Sequence, residues 1–477
     1  MRRLAVGVGL VLGLLVGYAT LDVYDYAPGV LTLAPAPDAT PATATPGAHA
    51  MTAAVAQPRP EAAGMPLPTS GAQAPAPVAA GVQASVGPVL ADPGLGGSVS
   101  VAVRDAATGA HLLDVGANDP KVPASTLKLL SAAAVNATFA PGATLTTKVV
   151  QGASPDRILL VAGGDTLLDP GAGDPAAVSG RAGLGALASA TAQVLRDKGT
   201  SAVSVALDLS YAPGPTSAPT WSSSFQASGL TGSVAAIGLS TGRATPGHPG
   251  PADPTAAVLA AFVTALRGHG MQVTVGKPDV APTGAGVLAA AQSAPVSDQL
   301  ALALDESDNA LTESLTRQAA FRSGAPAGFA ETAAFVRAKL SALGVDVSGV
   351  QTVDACGLSR ENVVPARVIA DVMALGTSAT LPGMRETLRQ LPVAGLSGTL
   401  SDRFDDAGSR AAAGVVRAKT GTLTGISAIA GTVVTADGRL LTFAVLANGI
   451  DPGEGTLRAR EALDRFTATL ASCGCRG

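Results

Sequence analysis

Between residues 33 and 93 the chain carries twelve prolines. Each proline locks its own φ, lacks an amide donor and restricts the residue before it, so neither a helix nor a sheet ladder tolerates that spacing. The residues around them are mostly Ala, Thr, Gly and Gln, and only Asp38, Arg59, Glu61 and Asp92 are charged. The stretch 33–93 therefore reads as an extended Pro/Ala-rich linker, either a spacer or a disordered segment without a set length. Ahead of it, Arg2 and Arg3 precede an uncharged, almost wholly apolar run from Leu4 to Leu21. A basic start followed by an apolar run is the secretory pattern, and the run is slightly short of the roughly 20 residues that span a bilayer. Residues 1–32 thus read as a signal peptide or a membrane anchor, and the rest of the chain as extracytoplasmic. Gly17-Tyr18-Ala19 is a poor small-x-small cleavage site.

What folds must lie beyond the linker. Aromatic residues make up only 3% of the chain, so its apolar content is mainly Ala, Val and Leu. Small side chains suit Ala-rich helices packed on Val-rich strands, which points to mixed α and β structure. Val99, Val101 and Val103 alternate with small residues, Asp105 to Gly109 supplies turn chemistry, and Ala110 to Val115 follows, the pattern of a hairpin. Thr126 to Ala134 then predicts a helix ending near Asn136, with Ser125 at its N-terminus. Residues 143–286 mix short β-like runs (Arg157 to Val161, Ala202 to Leu207) with Gly/Pro-rich loops and two Ala-rich helical patterns. Helical patterns return over Val296 to Ala320 and Gly328 to Leu343. Three strands follow over Gly414 to Thr420, Ile426 to Val434 and Leu440 to Leu446, then a helix over about 455–471. An early hairpin and late strands separated by helices imply one sheet built from both ends of the folded part.

Three short motifs carry the chemistry: Ser125-Thr126-Leu127-Lys128, Ser307-Asp308-Asn309 and Lys419-Thr420-Gly421. A serine hydroxyl is a weak nucleophile and needs an adjacent base. Positions i and i+3 share a helix face, which sets Lys128 beside Ser125. A lysine serves as a base only when its ammonium form is disfavoured, by desolvation or by a neighbouring cation, and Lys419 could be that cation. The amides at a helix start suit a developing oxyanion. Each motif alone is common: the first could be a surface helix pair, the second a polar cap, the third a strand end. Their structural contexts together favour catalysis.

A rival serine fails the same test. Gly238-Leu239-Ser240-Thr241-Gly242 matches G-x-S-x-G, which needs a strand before the serine, a helix after it, and an acid and then a histidine downstream. Arg243 to Pro254 is too rich in Pro and Gly for a helix, and the downstream histidines are only the nearby His248 and His269. The net charge of −4 and the lack of any Lys/Arg cluster argue against nucleic acid. No second cysteine pair or nearby histidine completes a metal site with Cys356, Cys473 and Cys475. They read as free thiols or one disulfide, and Cys356 with a C-terminal cysteine is the expected pair.

The motif trio, in this order, is shared by penicillin-binding proteins and serine β-lactamases. The chain as a whole resembles the class C low-molecular-mass penicillin-binding proteins, the D-alanyl-D-alanine carboxypeptidase/endopeptidase family. Further blocks agree: Pro123 to Leu130, Asp305 to Glu313, Asp354 with Gly357-Leu358-Ser359-Arg360 and Asn362, Pro392 to Arg403, and Asn448-Gly449. Ala355-Cys356 and Thr166 depart from the family pattern. The resemblance implies an α/β (α+β) fold, a serine β-lactamase/penicillin-binding transpeptidase-like domain with an antiparallel sheet and a helical subdomain. It also implies that this domain (94–142 and 287–477) is interrupted by an inserted domain (143–286), since 182 positions separate Ser125 from Ser307. By the resemblance, Ser125 is acylated by a peptidoglycan stem peptide, Lys128 is the base, Ser307 relays a proton, and Lys419 orients charge. Asn309, Thr420, Gly421 and Thr422 bind substrate, with the Ser125 and Thr422 amides as oxyanion hole. No cofactor or metal is implied, and β-lactam antibiotics are expected as acylating inhibitors. A β-lactamase and a non-catalytic peptidoglycan-binding envelope protein are the alternatives. The large insertion and the Gly357-Leu358-Ser359-Arg360 block argue against the first, and the intact trio argues against the second.

Overall fold

The computed structural model describes residues 74–378, 380–451 and 455–474. The apolar N-terminal run, the linker up to residue 73 and Cys475 lie outside the described residues.

The sheet expected from the two ends of the folded part is present. Five antiparallel strands run in the order Arg417–Leu423, Ile426–Val434, Leu440–Asn448, Ser98–Asp105 and His111–Val115. The strand Ser98–Asp105 pairs along its length with Leu440–Asn448, from Ser98 opposite Asn448 to Asp105 opposite Leu441. At the far end Arg439 donates from Nε and Nη2 to the two carboxylate oxygens of Asp105, at 2.6 and 2.9 Å.

Strand alternation sorts the side chains by size. Val101, Val103, Ile429, Phe443 and Val445 fill one face, against Leu463, Phe466 and Leu470 of the closing helix Gly455–Ser472. Ala102, Ala428, Ala430 and Ala444 point to the other face. There they let the helices Lys128–Asn136 and Ala366–Thr377 approach closely. Large residues on one face and alanines on the other follow from the period of two. Burying a Phe such as Phe443 contributes about 2–3 kcal/mol.

The linker expectation extends too far. Residues Ala79–Leu90 form a helix whose Val82 and Val86 are fully buried with the closing helix. Its only proline, Pro88, interrupts the hydrogen-bond ladder in the last turn, and burial of the i, i+4 valine pair outweighs that cost and the compositional bias.

The interrupting segment has its own sheet, ordered Gln272–Val275, Ala202–Asp208, Arg157–Val161, Thr146–Gln151 and Val287–Gln292. Its first three strands are parallel, and the helices Leu184–Asp197 and Pro254–Gly268 share a core with the sheet. Val287–Gln292, beyond the expected end at residue 286, pairs with Thr146–Gln151 in this sheet. The long helical pattern 296–320 is broken in two, Val296–Asp305 and Asn309–Arg322, with Ser307 between them.

Candidate active site

Ser125 sits in a single 3-10 turn, Ala124–Leu127, that feeds the helix beginning at Lys128. Ala124 is held at φ +47°, a left-handed conformation that costs a non-glycine residue about 1–3 kcal/mol. Its neighbours impose it. Thr126 Oγ1 donates to the Pro123 carbonyl at 2.7 Å, and the Asn448 side chain bonds both the N–H and the C=O of Val122. Gly357 fits against this turn only because it lacks a side chain, since a Cβ there would lie 1.9 Å from the Ala124 carbonyl oxygen.

Lys128 is fully buried, with Nζ 3.0 Å from Ser125 Oγ, 2.5 Å from Asn309 Oδ1 and 2.8 Å from the Cys356 carbonyl oxygen. The Asn309 amide is oriented from its other end, where Nδ2 donates to the Leu230 carbonyl at 2.7 Å. Two of the three partners of Lys128 can therefore only accept. A neutral amine has two N–H donors and one lone pair. If the amine is neutral and both donors are committed to Asn309 and Cys356, its lone pair faces the one partner that can donate, the Ser125 hydroxyl. Burial lowers the Lys128 pKa and favours this form, while Cys356, Asp354, Asp308 and Glu313 oppose it. Of the two causes the sequence suggested, desolvation is the larger at Lys128, and Lys128 and Lys419 also repel each other. Lys419 is also fully buried, its pKa pushed well down by burial first and then by Lys128. Its Nζ donates to the Thr420 carbonyl at 3.0 Å.

The loop carrying Cys356 is braced from three directions. Glu313 Oε1 accepts from the amides of Ala355 and Cys356 at 2.7 and 2.8 Å, and Ser131 Oγ donates to the Ala355 carbonyl at 2.6 Å. Asp354 accepts from the Gly357 amide and Asn362 Nδ2 on one oxygen, and from the Ser359 amide and Trp221 Nε1 on the other. Glu313, Asp354 and Cys356 converge within 4.8 Å, but the carboxylate lone pairs that would ligate a metal are largely taken by these N–H groups. Burial, reinforced by Asp354, pushes Glu313 up to about 7. Burial also pushes the Cys356 thiol well up, so it stays protonated and is no rival nucleophile. Cys356 is free, whereas Cys473 is disulfide-bonded, which overturns the expected pairing of Cys356. The Cys356 side chain lies in a cluster with Trp221 and Leu358, remote from the core that holds Cys473.

Ser125, Ser307, Asn309, Thr420 and Thr422 line one cleft of about 830 Å³. Ser307 stands at the break between two helices, at φ +58°. Gly421 also has a steric role. A Cβ there would meet the Pro123 carbonyl oxygen at 2.7 Å and the Ser125 amide nitrogen at 3.0 Å, so its bareness lets the strand lie against the nucleophile turn. Thr420 Oγ1 bonds Thr399 Oγ1 at 3.0 Å. Ser240 lies in a three-residue 3-10 turn, Ser240–Gly242, with neither of the elements that G-x-S-x-G requires. Leu230, Arg243, Trp221 and the Cys356 carbonyl were not legible as site components. The first three lie in the stretch 143–286, where the sequence offered only the rejected G-x-S-x-G match.

The sequence profile of the D-Ala-D-Ala carboxypeptidase 3 (S13) family matches residues 82–249 and 249–470. Carboxypeptidase DacB of Mycolicibacterium smegmatis is 36% identical over 411 residues, covering 84% of this chain and 86% of the relative. The D-alanyl-D-alanine carboxypeptidase of an Actinomadura species is 34% identical over 223 residues, covering 44% of this chain and 40% of that one. Among solved structures, penicillin-binding protein 4 of Haemophilus influenzae superposes with a TM-score of 0.66 at 19% identity, covering 81% of this chain and 98% of that one. That likeness establishes the fold, and the profile match and the DacB relative establish descent: the chain belongs to the D-Ala-D-Ala carboxypeptidase 3 (S13) family.

Proposed function

We propose that this chain is a serine D-Ala-D-Ala carboxypeptidase that acts on peptidoglycan stem peptides in the cell envelope through an acyl-enzyme on Ser125. The observation that carries the reading is the fully buried Lys128 amine, with Nζ 3.0 Å from Ser125 Oγ. Neutral Lys128 takes the hydroxyl proton as Oγ bonds to the carbonyl carbon of the penultimate D-Ala. The C–N bond then breaks, and the terminal D-Ala leaves as its amine after receiving a proton by way of Ser307. Water hydrolyses the ester and regenerates Ser125. The amides of Ser125 and Thr422 hold the oxyanion. Asn309 contacts the substrate backbone, Lys419 positions Thr420 through the hydrogen bond to its carbonyl, and Thr420 and Thr422 receive the terminal carboxylate. The contact of Gly421 with the Ser125 amide supports this, because it brings the Thr422 end of the strand beside the nucleophile.

A β-lactam presents a strained amide in place of the scissile one and is expected to acylate the same serine. A solved Haemophilus penicillin-binding protein 4 carries a β-lactam in its complex, with a TM-score of 0.60 to this chain. Cross-link cleavage is the same reaction with a different leaving amine, so DD-endopeptidase activity is part of the proposal. The basic and apolar start of the chain supports export, with residues 1–32 cleaved or kept as an anchor. Among the described residues no helix is long and apolar enough to cross a membrane.

The test is release of D-Ala from a stem pentapeptide by the purified protein and by a Ser125→Ala variant. Release by the parent alone is expected, and equal release by both would overturn the assignment.

A further inference from the structure

The S-D-N turn is not held by the catalytic domain alone. Ser307 is left-handed without being glycine, and such a residue persists only where its surroundings over-determine it. Its two neighbours are gripped by one side chain from the inserted segment. Arg243 donates from Nε and Nη2 to Asp308 Oδ2, at 3.1 and 2.7 Å, and also bonds the Glu306 carboxylate. Asp308 turns its other oxygen inward and caps the following helix through the Leu311 amide at 2.9 Å. Arg243 thus bridges positions 306 and 308 across the strained residue, from a side chain only 17% exposed.

The loop that presents Arg243 is itself built. The Thr245 and His248 backbones bond each other, and the Gly247 amide donates to the Ser228 carbonyl at 2.9 Å. Gly229 allows close stacking, since a Cβ there would lie 2.0 Å from the Thr245 carbonyl oxygen. Two residues outside the described trio therefore meet the S-D-N motif from this one loop system: Leu230 at Asn309, and Arg243 at Asp308 and Glu306.

We infer that Arg243 is a positioning residue for the reaction, the clasp by which the inserted segment sets Ser307 in its reactive conformation. The guanidinium reaches Asp308 through Nε and Nη2 and Glu306 through Nη2, a fork that a lysine point charge does not reproduce. The inference rests on Ser125 being the acylated residue.

The test follows acylation by a fluorescent penicillin, separating the initial binding constant from the acylation rate constant, with thermal melting recorded for every protein. Arg243→Gln is expected to lower the acylation rate constant by roughly 10- to 100-fold, with initial binding little changed. In a Ser307→Ala background the same substitution is expected to cost nothing further, because its effect runs through Ser307. Arg243→Lys is expected to restore only part of the loss. Should Arg243→Gln fail to melt cooperatively, Glu306→Gln removes one arm of the clasp and carries the same comparison. Acylation of Arg243→Gln at the parent rate, or an equal fold-loss with and without Ser307, would overturn the inference. A parent protein that takes no label at Ser125 would instead sink the functional reading, and the role of Arg243 with it.

Discussion

Lys128 Nζ lies 3.0 Å from Ser125 Oγ while its two other contacts, Asn309 Oδ1 and the Cys356 carbonyl, can accept hydrogen bonds only. Of the three partners, the serine is the one that can give a neutral Lys128 a proton. Removing the amine removes the base. Lys128→Ala is expected to slow acylation by roughly 10²–10⁴-fold. Stopped-flow labelling with a penicillin measures the loss directly.

Glu313 and Lys128 meet through the Cys356 peptide: Glu313 accepts from its N–H and Lys128 donates to its C=O. Glu313 titrates at about 7, and its charge raises the Lys128 pKa. As pH rises through 7, Glu313 ionises and stabilises the ammonium that the reaction must lose. Glu313→Gln keeps an acceptor for both amides and deletes the charge. The rising limb of the acylation pH profile is therefore expected to move to lower pH in the variant. A limb that stays in place, or moves up, contradicts this coupling.

Two glycines are needed for their bareness. Gly357 sits at φ +91°, and an added Cβ would meet the Ala124 carbonyl oxygen at 1.9 Å. Gly357→Ala is expected to cost about 3 kcal/mol, from backbone strain plus overpacking. Gly421→Ala is less strained but presses on the Ser125 amide, so its loss should appear in acylation more than in stability. Urea unfolding and penicillin labelling of the two variants, side by side, check the contrast.

Asp165 is 1% exposed, and burial pushes its carboxyl up to about 6. An unfolded Asp titrates near 4. Between about pH 4 and pH 6 the folded chain holds a proton that the unfolded chain has released, so stability from this group is complete below that window and lost above it. Asp165→Asn keeps an acceptor for the Leu167 amide and removes the titration. The variant is expected to match the parent at pH 4 and exceed it by ~2–3 kcal/mol at pH 7. Urea unfolding at both pH values tests the sign.

The placement of the motif trio was legible because its spacing encodes its geometry: Ser125 and Lys128 lie on neighbouring turns of one helix start, and the strand alternation around Lys419 is local. The sheet from both chain ends was legible for the same reason. What failed were features set by distant partners. The helix Ala79–Leu90 hides behind its proline-rich surroundings and exists because Val82 and Val86 find the closing helix. Val287–Gln292 is too rich in alanine to announce a strand, and pairing with Thr146–Gln151 makes it one. Leu230 and Arg243 lie in a loop without periodicity, so nothing in the sequence near them points to residues 306–309. Ser307 read as part of one long helix, whereas its left-handed turn divides two.

The central claim is that Ser125 is the acylated nucleophile. The most direct measurement is peptide mass spectrometry after brief exposure of the purified protein to benzylpenicillin. The account requires one penicilloyl adduct, on the peptide containing Ser125, persisting over the course of the experiment and absent from Ser125→Ala. An adduct on Ser240 or Ser307, or one retained in Ser125→Ala, would contradict it.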